Sequence, residues 1–379
     1  MNKITNPGRD QDRFRGCLIG GAAGDALGYA VEFLRLSQIE AKYGESGITA
    51  YDLTGGVAEI SDDTQMTLFT ATGLLLGTTR GATRGIQSAP ETYVARSYKD
   101  WLKTQDYEST SPDDDYRYSW LLDVPELHHR RAPGNTCITA LRNKKPVEGS
   151  KGCGGIMRVA PVGLYFDGEN YRKSREDIAK IGDAVAAITH GHDLGRIPAA
   201  ALVYIINSIL YYNNYSGKDG LRHIVLDSIV AMENLYVDSP FINVFSDLIR
   251  KAVDLSAGGK PDKDCICELG EGWVAEETLA IAVYCALRHS GDFERALIAA
   301  VNHDGDSDST GSVTGNILGA WLGMGAIPAK FVDDLELKDV ILEVADDLCH
   351  DCTVDGYGHI DADGEIWCRK YIENGRVEL

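Results

Sequence analysis

Positive charge is scarce in this chain. Lys and Arg number 37 against 57 Asp and Glu, a formal net charge of −20, with a pI of about 4.8. That balance argues against general affinity for a nucleic-acid backbone or an anionic membrane surface. A phosphorylated ligand can still bind locally where metals or a helix N-terminus supply the positive field. Long apolar runs are missing as well: none reaches the roughly 18 residues of a membrane span, so no membrane partner is expected. Met1 to Gly16 is polar and charged and carries no apolar core of a secretory signal. Nine cysteines, an odd number in a long chain, fit a reducing compartment better than a disulfide scaffold. A cytoplasmic location is the expectation. Paired-cysteine zinc modules are absent too. Cys265-Ile266-Cys267 and Cys349-His350-Asp351-Cys352, with His359 nearby, lack the spacing of a known module.

What the chain does have is a globular composition, 44% hydrophobic and 25% charged over 379 residues, enough to bury a large core. It also has two stripes of glycine. Gly16, Gly20, Gly24 and Gly28 recur every fourth residue through a segment that reads helical from Asp12 to Glu32. Gly311, Gly315, Gly319 and Gly323 do the same near the other end. Four-residue spacing places each set along one helix face. Each helical glycine costs about 1 kcal/mol relative to alanine, so the stripes need a return. Close approach of two backbones supplies one, as in small-xxx-small contacts. Both helices are therefore expected to be buried close together in one core, which joins the chain ends and makes residues 1–379 a single domain.

Acidic residues cluster just before two helices. Asn302-His-Asp-Gly-Asp-Ser-Asp-Ser-Thr-Gly311 alternates Asp304, Asp306 and Asp308 with small residues ahead of the apolar segment Ser312 to Ile327. An EF-hand loop is excluded, because its glycine slot holds Ser309 and its twelfth-position Glu slot holds Gly315. Far upstream, Ser61-Asp62-Asp63-Thr64 opens another helix, Asp62 to about Leu76, and Glu32 follows the last glycine of the first stripe. Capping explains either acid pair alone, since Ser and Asp are favoured at helix starts. Taken together, Glu32, Asp62, Asp63, Asp306 and Asp308 are five carboxylates that would repel unless cations intervene. Two divalent ions bring +4 against −5, and an all-oxygen ligand set favours Mg²⁺, Mn²⁺ or Ca²⁺ over zinc.

A further glycine cluster, Ser150-Lys-Gly152-Cys153-Gly154-Gly155-Ile-Met-Arg, precedes an apolar run. It reads either as a tight turn or as exposed N–H groups able to cradle phosphate or sugar oxygens. His190 and His192 end a helix predicted for Glu176 to Thr189, and they suit ligand contact or helix termination better than ligation of a hard cation. Helices are further predicted around Glu91 to Lys103, over Ile197 to Tyr212 with Pro198 in the first turn, twice within Leu221 to Ala257, and over Glu276 to His289. Gly258 to Asp264 reads as a loop. Tyr357 to Tyr371 reads as a small hairpin around Asp363-Gly364. The fold class is all-α.

These blocks, in this order, resemble the ADP-ribosylglycohydrolase family. The resemblance rests on Gly16-Cys-Leu-Ile-Gly-Gly-Ala-Ala-Gly-Asp-Ala-Leu-Gly28 with Glu32, then Ser61-Asp-Asp-Thr64. It continues through the Gly152 to Pro161 loop and Thr189-His190 to Gly305-Asp-Ser-Asp-Ser309. It covers a motif-bearing core of residues 12–327, with 328–379 as a C-terminal extension. It implies a compact all-α bundle with two Mg²⁺ (or Mn²⁺) ions at the bottom of an ADP-ribose cleft. Ser61, Asp62, Asp63, Asp306, Asp308 and Ser309 match the metal ligands. Glu32 matches an acid beside the metals and the scissile sugar. Gly152, Cys153, Gly154, Gly155 and His190 match segments that contact the ligand. Two departures stand out: Asp304, where the family usually has Gly, is expected to add an acid near the metals, and Cys153 stands where Asn is common.

The reaction so implied is hydrolysis of an N- or O-glycosidic bond at the ribose anomeric carbon, which removes ADP-ribose from a modified protein. Metals would hold the ribose diol and polarise a water. Glu32, or a metal-ligating acid such as Asp63 or Asp306, would accept the water's proton. Two other readings belong to different classes: an ADP-ribose sensor that has lost turnover, and an immunity factor that antagonises an ADP-ribosyltransferase toxin by hydrolysis or occlusion.

Overall fold

The computed structural model describes residues 9–85, 88–105, 116–212, 219–352 and 362–375. Within them lie 17 α-helices and no sheet; the only β pairing among the described residues is a few isolated bridges. In chain order the helices are α1 (Gln11–Tyr29), α2 (Leu36–Tyr43), α3 (Asp62–Arg84), α4 (Pro90–Thr104), α5 (Asn135–Asn143) and α6 (Ala160–Tyr165). They continue with α7 (Gly168–Tyr171), α8 (Arg175–Ala186), α9 (Asp193–Tyr211), α10 (Gly220–Leu235), α11 (Ile242–Ser256) and α12 (Asp262–Leu269). The last five are α13 (Ala275–Arg288), α14 (Phe293–Val301), α15 (Ser307–Leu322), α16 (Lys338–His350) and α17 (Ala362–Tyr371).

The two glycine stripes meet face to face. A β-carbon on Gly16, Gly20 or Gly24 would overlap the carbonyl of Gly319, Gly315 or Gly311 respectively, and the reverse overlaps hold as well. The pairing is antiparallel, with residue numbers falling on α15 as they rise on α1. Gly28 extends the register onto Ser307. Any side chain here would force the backbones apart, which is the return for so many helical glycines. Asn316 locks the pair sideways: its amide donates to the Cys17 carbonyl at 2.9 Å, in the space left by Gly21. Gly323 leaves the stripe, ending α15 in a positive-φ conformation of 82°.

Other helices wrap this pair in one continuous hydrophobic core that runs from Phe14 to Tyr371. α9 is long and apolar enough to cross a membrane by length and composition, yet 89% of its most apolar stretch is buried, covered by α6, α8, α10 and α13. It begins earlier than the sequence suggests. His192 Nδ1 accepts the Leu194 N–H at 3.0 Å, so the helix starts at Asp193 and Pro198 lies inside it rather than in its first turn. The segment expected to be a loop up to Asp264 turns helical at Asp262, after Pro261.

The C-terminal hairpin is not formed. Residues 362–371 are the helix α17, and residues 357–361, which held the rest of that expectation, lie outside the described residues. Helical spacing brings Trp367 and Tyr371 to one buried face, their rings 4.8 Å apart. Trp367 Nε1 donates to Thr79 of α3 at 2.8 Å. Lys370 bonds Glu343 at 2.5 Å, and Asp347, on α16. Tertiary partners for an aromatic stripe outweigh the local turn signal of Asp363-Gly364.

Candidate functional site

The antiparallel register of α1 and α15 decides which residues meet at one end of the pair. α1 stops at Tyr29 just after Gly28 packs on Ser307, and the turn that follows carries Glu32. α15 begins at Ser307 with Asp306 as its N-cap, and Asp308 lies in the first turn. Gly305 makes the approach possible. Its φ is 125°, and a β-carbon there would overlap the Glu271 carbonyl. The same carbonyl accepts the Asp306 N–H at 2.8 Å. Asp308 Oδ1 accepts the Ser309 N–H at 2.9 Å. One carboxylate oxygen from each of Glu32, Asp306 and Asp308 lies within 4.8 Å of the others.

The second acid pair is brought in by α3, whose start is held from α1. Asp25, wholly buried, accepts the Ser61 N–H at 2.9 Å, the Thr64 N–H at 3.0 Å and the Thr64 hydroxyl at 2.5 Å. It caps α3 from another helix and ties Asp62 and Asp63 to the glycine pair. Ser61 supplies the local cap, its Oγ accepting the Asp63 N–H at 3.2 Å. Asp62 is fixed from the other side: its N–H donates to Arg131 O at 3.0 Å, and its Oδ2 accepts the Gly134 N–H at 3.1 Å. Sequence reasoning quoted Asp25 within a motif and gave it no role. The signal was there, a lone acid deep in an apolar glycine helix. The 131–134 backbone supplies these two contacts.

All these acids are buried: Asp25, Glu32, Asp62, Asp63, Asp306, Asp308 and the hydroxyls of Ser61 and Ser309 are each at most 8% exposed. Burial pushes Glu32 up to about 10, with further help from the charges of Asp308, Asp306, Asp62 and Asp25. Burial, then Asp308, pushes Asp25 up to about 7. Asp62, Asp63 and Asp306 are raised well above the usual carboxylate range, by burial first in each case. Among the leading influences a cation enters only at Asp62, where Arg158 ranks behind burial, the Gly134 N–H, Asp308 and Asp25. Two carboxylate oxygens, Glu32 Oε2 and Asp63 Oδ2, are buried with no hydrogen-bond partner. Buried acids that repel one another and leave oxygens unpartnered fit a cationic occupant. An all-oxygen set drawn from Ser, Asp and Glu fits hard divalent ions.

The glycine loop lies alongside. Cys153 to Gly155 is a single 3-10 turn, held by antiparallel pairing of Gly152 with Val274 and by the Cys153 N–H to Trp273 O bond of 3.2 Å. His190 packs behind this turn. A β-carbon on Gly154 would come within 3.2 Å of its ring and one on Gly155 within 3.5 Å, it is 1% exposed, and burial pushes it down to about 3. It is a neutral support for the loop, with Nδ1 hydrogen-bonded to Thr189 Oγ1 at 2.8 Å. Burial first, and then the charges of Asp306 and Asp63, push the half-buried Cys153 thiol well above the usual thiol range. At the rim, the exposed ring of Phe33, next to Glu32, stacks on Trp273 with centroids 6.2 Å apart and planes at 22°.

Asp304 does not join the cluster. Its side chain is exposed and accepts the Leu36 N–H at 2.7 Å, at the start of α2. The reason is alternation: Asp304 and Asp306 flank the positive-φ Gly305, and only Asp306 is drawn inward as the α15 cap. The cysteine groups also form no metal cluster among the described residues. Cys265 is buried while Cys267 is exposed on α12, and His359 lies outside the described residues.

A family model described as ADP-ribosylglycohydrolase matches residues 6–357. The chain belongs to this family. Human ADP-ribosylhydrolase ARH3 is 24% identical over 356 residues, spanning 86% of this chain and 90% of its own. The ADP-ribosyl-(dinitrogen reductase) glycohydrolase of Rhodospirillum rubrum is 24% identical over 341 residues, spanning 86% and 91%. An uncharacterized protein of Archaeoglobus fulgidus reaches 28% identity over 344 residues, spanning 88% and 95%. Among solved structures, an ADP-ribosylglycohydrolase-related protein complex has a TM-score of 0.55 at 24% identity and covers 90% of this chain and 97% of its own. That likeness bears on the fold, which is the all-α fold of the ADP-ribosylglycohydrolases. The family is one of hydrolases.

Proposed function

We propose that this glycohydrolase uses the acid cluster as a dinuclear metal site to remove ADP-ribose from ADP-ribosylated proteins. The observation that carries the proposal is the convergence of six buried carboxylates, including unpartnered oxygens on Glu32 and Asp63, in a chain of this family. Ser61, Asp62, Asp63, Asp306, Asp308 and Ser309 would hold the ions, Mg²⁺ or Mn²⁺ by their oxygen ligands. Bound there, the ions would orient the ribose diol and lower the pKa of a water.

The remaining roles belong to the chain itself. Asp25 and the Arg131 to Gly134 backbone fix Asp62 and Asp63 from two sides, so the acids are held before ligand arrives. The Cys153 to Gly155 turn, backed by His190, offers backbone N–H groups beside the cluster for phosphate or ribose oxygens. Glu32 differs from the four Asp. It sits on a turn rather than a helix start, and with bound cations offsetting the neighbouring carboxylates that help hold it protonated, its free Oε2 would be ionised and could accept a proton from water as the glycosidic bond opens. Charge that develops on an oxocarbenium-like ribose is stabilised by the surrounding carboxylates.

The test is incubation with a panel of proteins and peptides ADP-ribosylated on arginine, serine or other acceptors, with Mg²⁺ or with EDTA, measuring released ADP-ribose. The proposal expects release from at least one linkage with Mg²⁺ and none in EDTA. Binding of ADP-ribose without release from any acceptor would replace the hydrolase with a sensor.

A further inference from the structure

We infer that Arg158 is a positioning residue: through Thr189 it holds His190 in the tautomer that carries its proton on Nε2, which suits the glycine turn to oxygen acceptors. The inference rests on the proposed reading in which that turn receives ligand oxygens, and it adds two residues that lie behind the turn.

Arg158 is fully buried, and among the described residues it forms no ion pair with an acid. Its Nη1 donates to Cys137 Sγ at 3.4 Å and to Met66 Sδ at 3.5 Å. Its guanidinium carbon lies 4.6 Å from the centre of the Tyr98 ring, and Nε has no partner. Sulfur and a ring face return only part of the hydration that a buried cation gives up. The strong contacts are on Nη2, which donates to Thr189 Oγ1 at 2.6 Å and to Val185 O at 3.2 Å. Both acceptors lie at or just beyond the end of α8, where the chain enters His190.

The direction of each hydrogen bond follows. A guanidinium only donates, so Thr189 Oγ1 accepts from it, and the hydroxyl has one proton to give. Cys137 Sγ, on the same guanidinium, is a weak acceptor, whereas His190 Nδ1 stands 2.8 Å away. Nδ1 therefore accepts. The positive charge behind Thr189 favours the same choice, since it attracts a lone pair and repels an N–H. The ring is uncharged, pushed down to about 3 by burial and then by Arg158, so it keeps a single N–H. That proton is on Nε2. A β-carbon on Gly152 would come within 3.4 Å of Nε2 and one on Gly154 within 3.5 Å, and Nε2 makes no hydrogen bond among the described residues. The turn thus joins a side-chain donor to its backbone N–H groups. The opposite tautomer would set a lone pair there against the ligand's oxygens.

Nitrogen NMR of the full-length protein carrying isotope-labelled histidine tests this without ligand. The chain has nine histidines, and the signals lost in His190→Gln assign the ring. Wild type is expected to show Nε2 protonated and Nδ1 as a hydrogen-bonded acceptor. Thr189→Val keeps the volume but breaks the relay and should give a mixture of tautomers, while Thr189→Ser should restore the single one. Arg158→Met should also give a mixture, and Thr189→Val decides the matter if that protein does not fold. By calorimetry, ADP-ribose should bind Thr189→Val about 10-fold more weakly, the worth of one hydrogen bond to a charged group, and recover in Thr189→Ser. Protonated Nδ1 in wild type would overturn the inference, and that measurement needs no variant. A single Nε2–H tautomer that persists in either relay variant would overturn it as well, as would a tautomer mixture with wild-type affinity. The expected tautomers in a protein that binds no ADP-ribose would leave the relay standing and remove the proposed function.

Discussion

Two buried groups of acids in this molecule are built in opposite ways. Around Arg9, acids and cation answer one another, and only the guanidinium Nε is left without a hydrogen-bond partner. The guanidinium donates to Leu348 O at 2.7 Å, to Tyr165 O at 2.8 Å and to Asp167 at 3.2 Å, and it lies 3.4 Å from Asp351. Asp351 in turn accepts the hydroxyls of Tyr165 and Tyr171 and the Cys352 N–H. At the Glu32–Asp63–Asp306 cluster, carboxylates outnumber cations, oxygens go unpartnered, and burial with mutual repulsion raises the acids toward protonation. A buried network in which acids and cation neutralise one another tells of architecture. A cluster of acids without counter-charges, held at a cost to the fold, tells of something that binds.

The contrast breaks most severely at the ligands. Asp306→Asn should lose metal, weaken ADP-ribose binding, and reduce turnover by at least as much as Glu32→Gln. For Glu32→Gln, turnover should fall about 10²–10⁴-fold while calorimetry still detects ADP-ribose binding. Wild-type turnover in that variant would move the proton-accepting role to Asp63 or Asp306. Asp304, exposed and committed to the start of α2, is not placed to take that role.

The charge-paired side has its own signature. Arg9→Met leaves the buried Asp167 and the half-buried Asp351 without their cation and should cost about 3–5 kcal/mol in denaturant unfolding, with no recovery on adding magnesium. Recovery would mean that the two networks are coupled. Gly315→Leu pushes into the Gly20 backbone and should cost about 1–3 kcal/mol or more. Unchanged thermal stability would remove the close-packed pair as the frame of the site.

A smaller effect sharpens the electrostatic half of the comparison. Asp25 is raised from 3.8 to about 7 in the folded chain. A carboxylate raised on folding stabilises below its ordinary value and loses that contribution as pH rises through about 7. Stripping metal should therefore lower the melting temperature more above pH 7 than in mild acid, where protons take over part of the cations' role. An equal loss at both would show that repulsion among these acids does not govern stability.

The parts of this design legible in the sequence were the periodic ones. Glycines spaced by four announced two buried helices, and the α1–α15 pair is what they form, because a missing side chain at every turn has one packing consequence. Acid pairs ahead of helices announced themselves by residue type, and the register of the stripes explains why Glu32 ends up beside Asp306. What escaped depends on contacts between distant segments. Asp25 caps a helix 36 residues downstream. The 131–134 backbone holds Asp62, and the strip before α13 hangs Cys153 beside Asp306. None of these has a local pattern. Asp304 misled for a related reason: composition placed it with the other acids, while the positive φ of Gly305 turned it away. At the C-terminus, Asp363-Gly364 looked like a turn, and the burial of Trp367 and Tyr371 decided for helix.

The most direct test of the central claim is metal content measured together with turnover on the same sample. Equilibrium dialysis against magnesium or manganese should load two divalent ions per wild-type chain, and ADP-ribose release should track occupancy. Asp306→Asn should bind less metal and release correspondingly less. Wild-type protein shown to be metal-free in EDTA that still releases ADP-ribose at full rate would contradict the account.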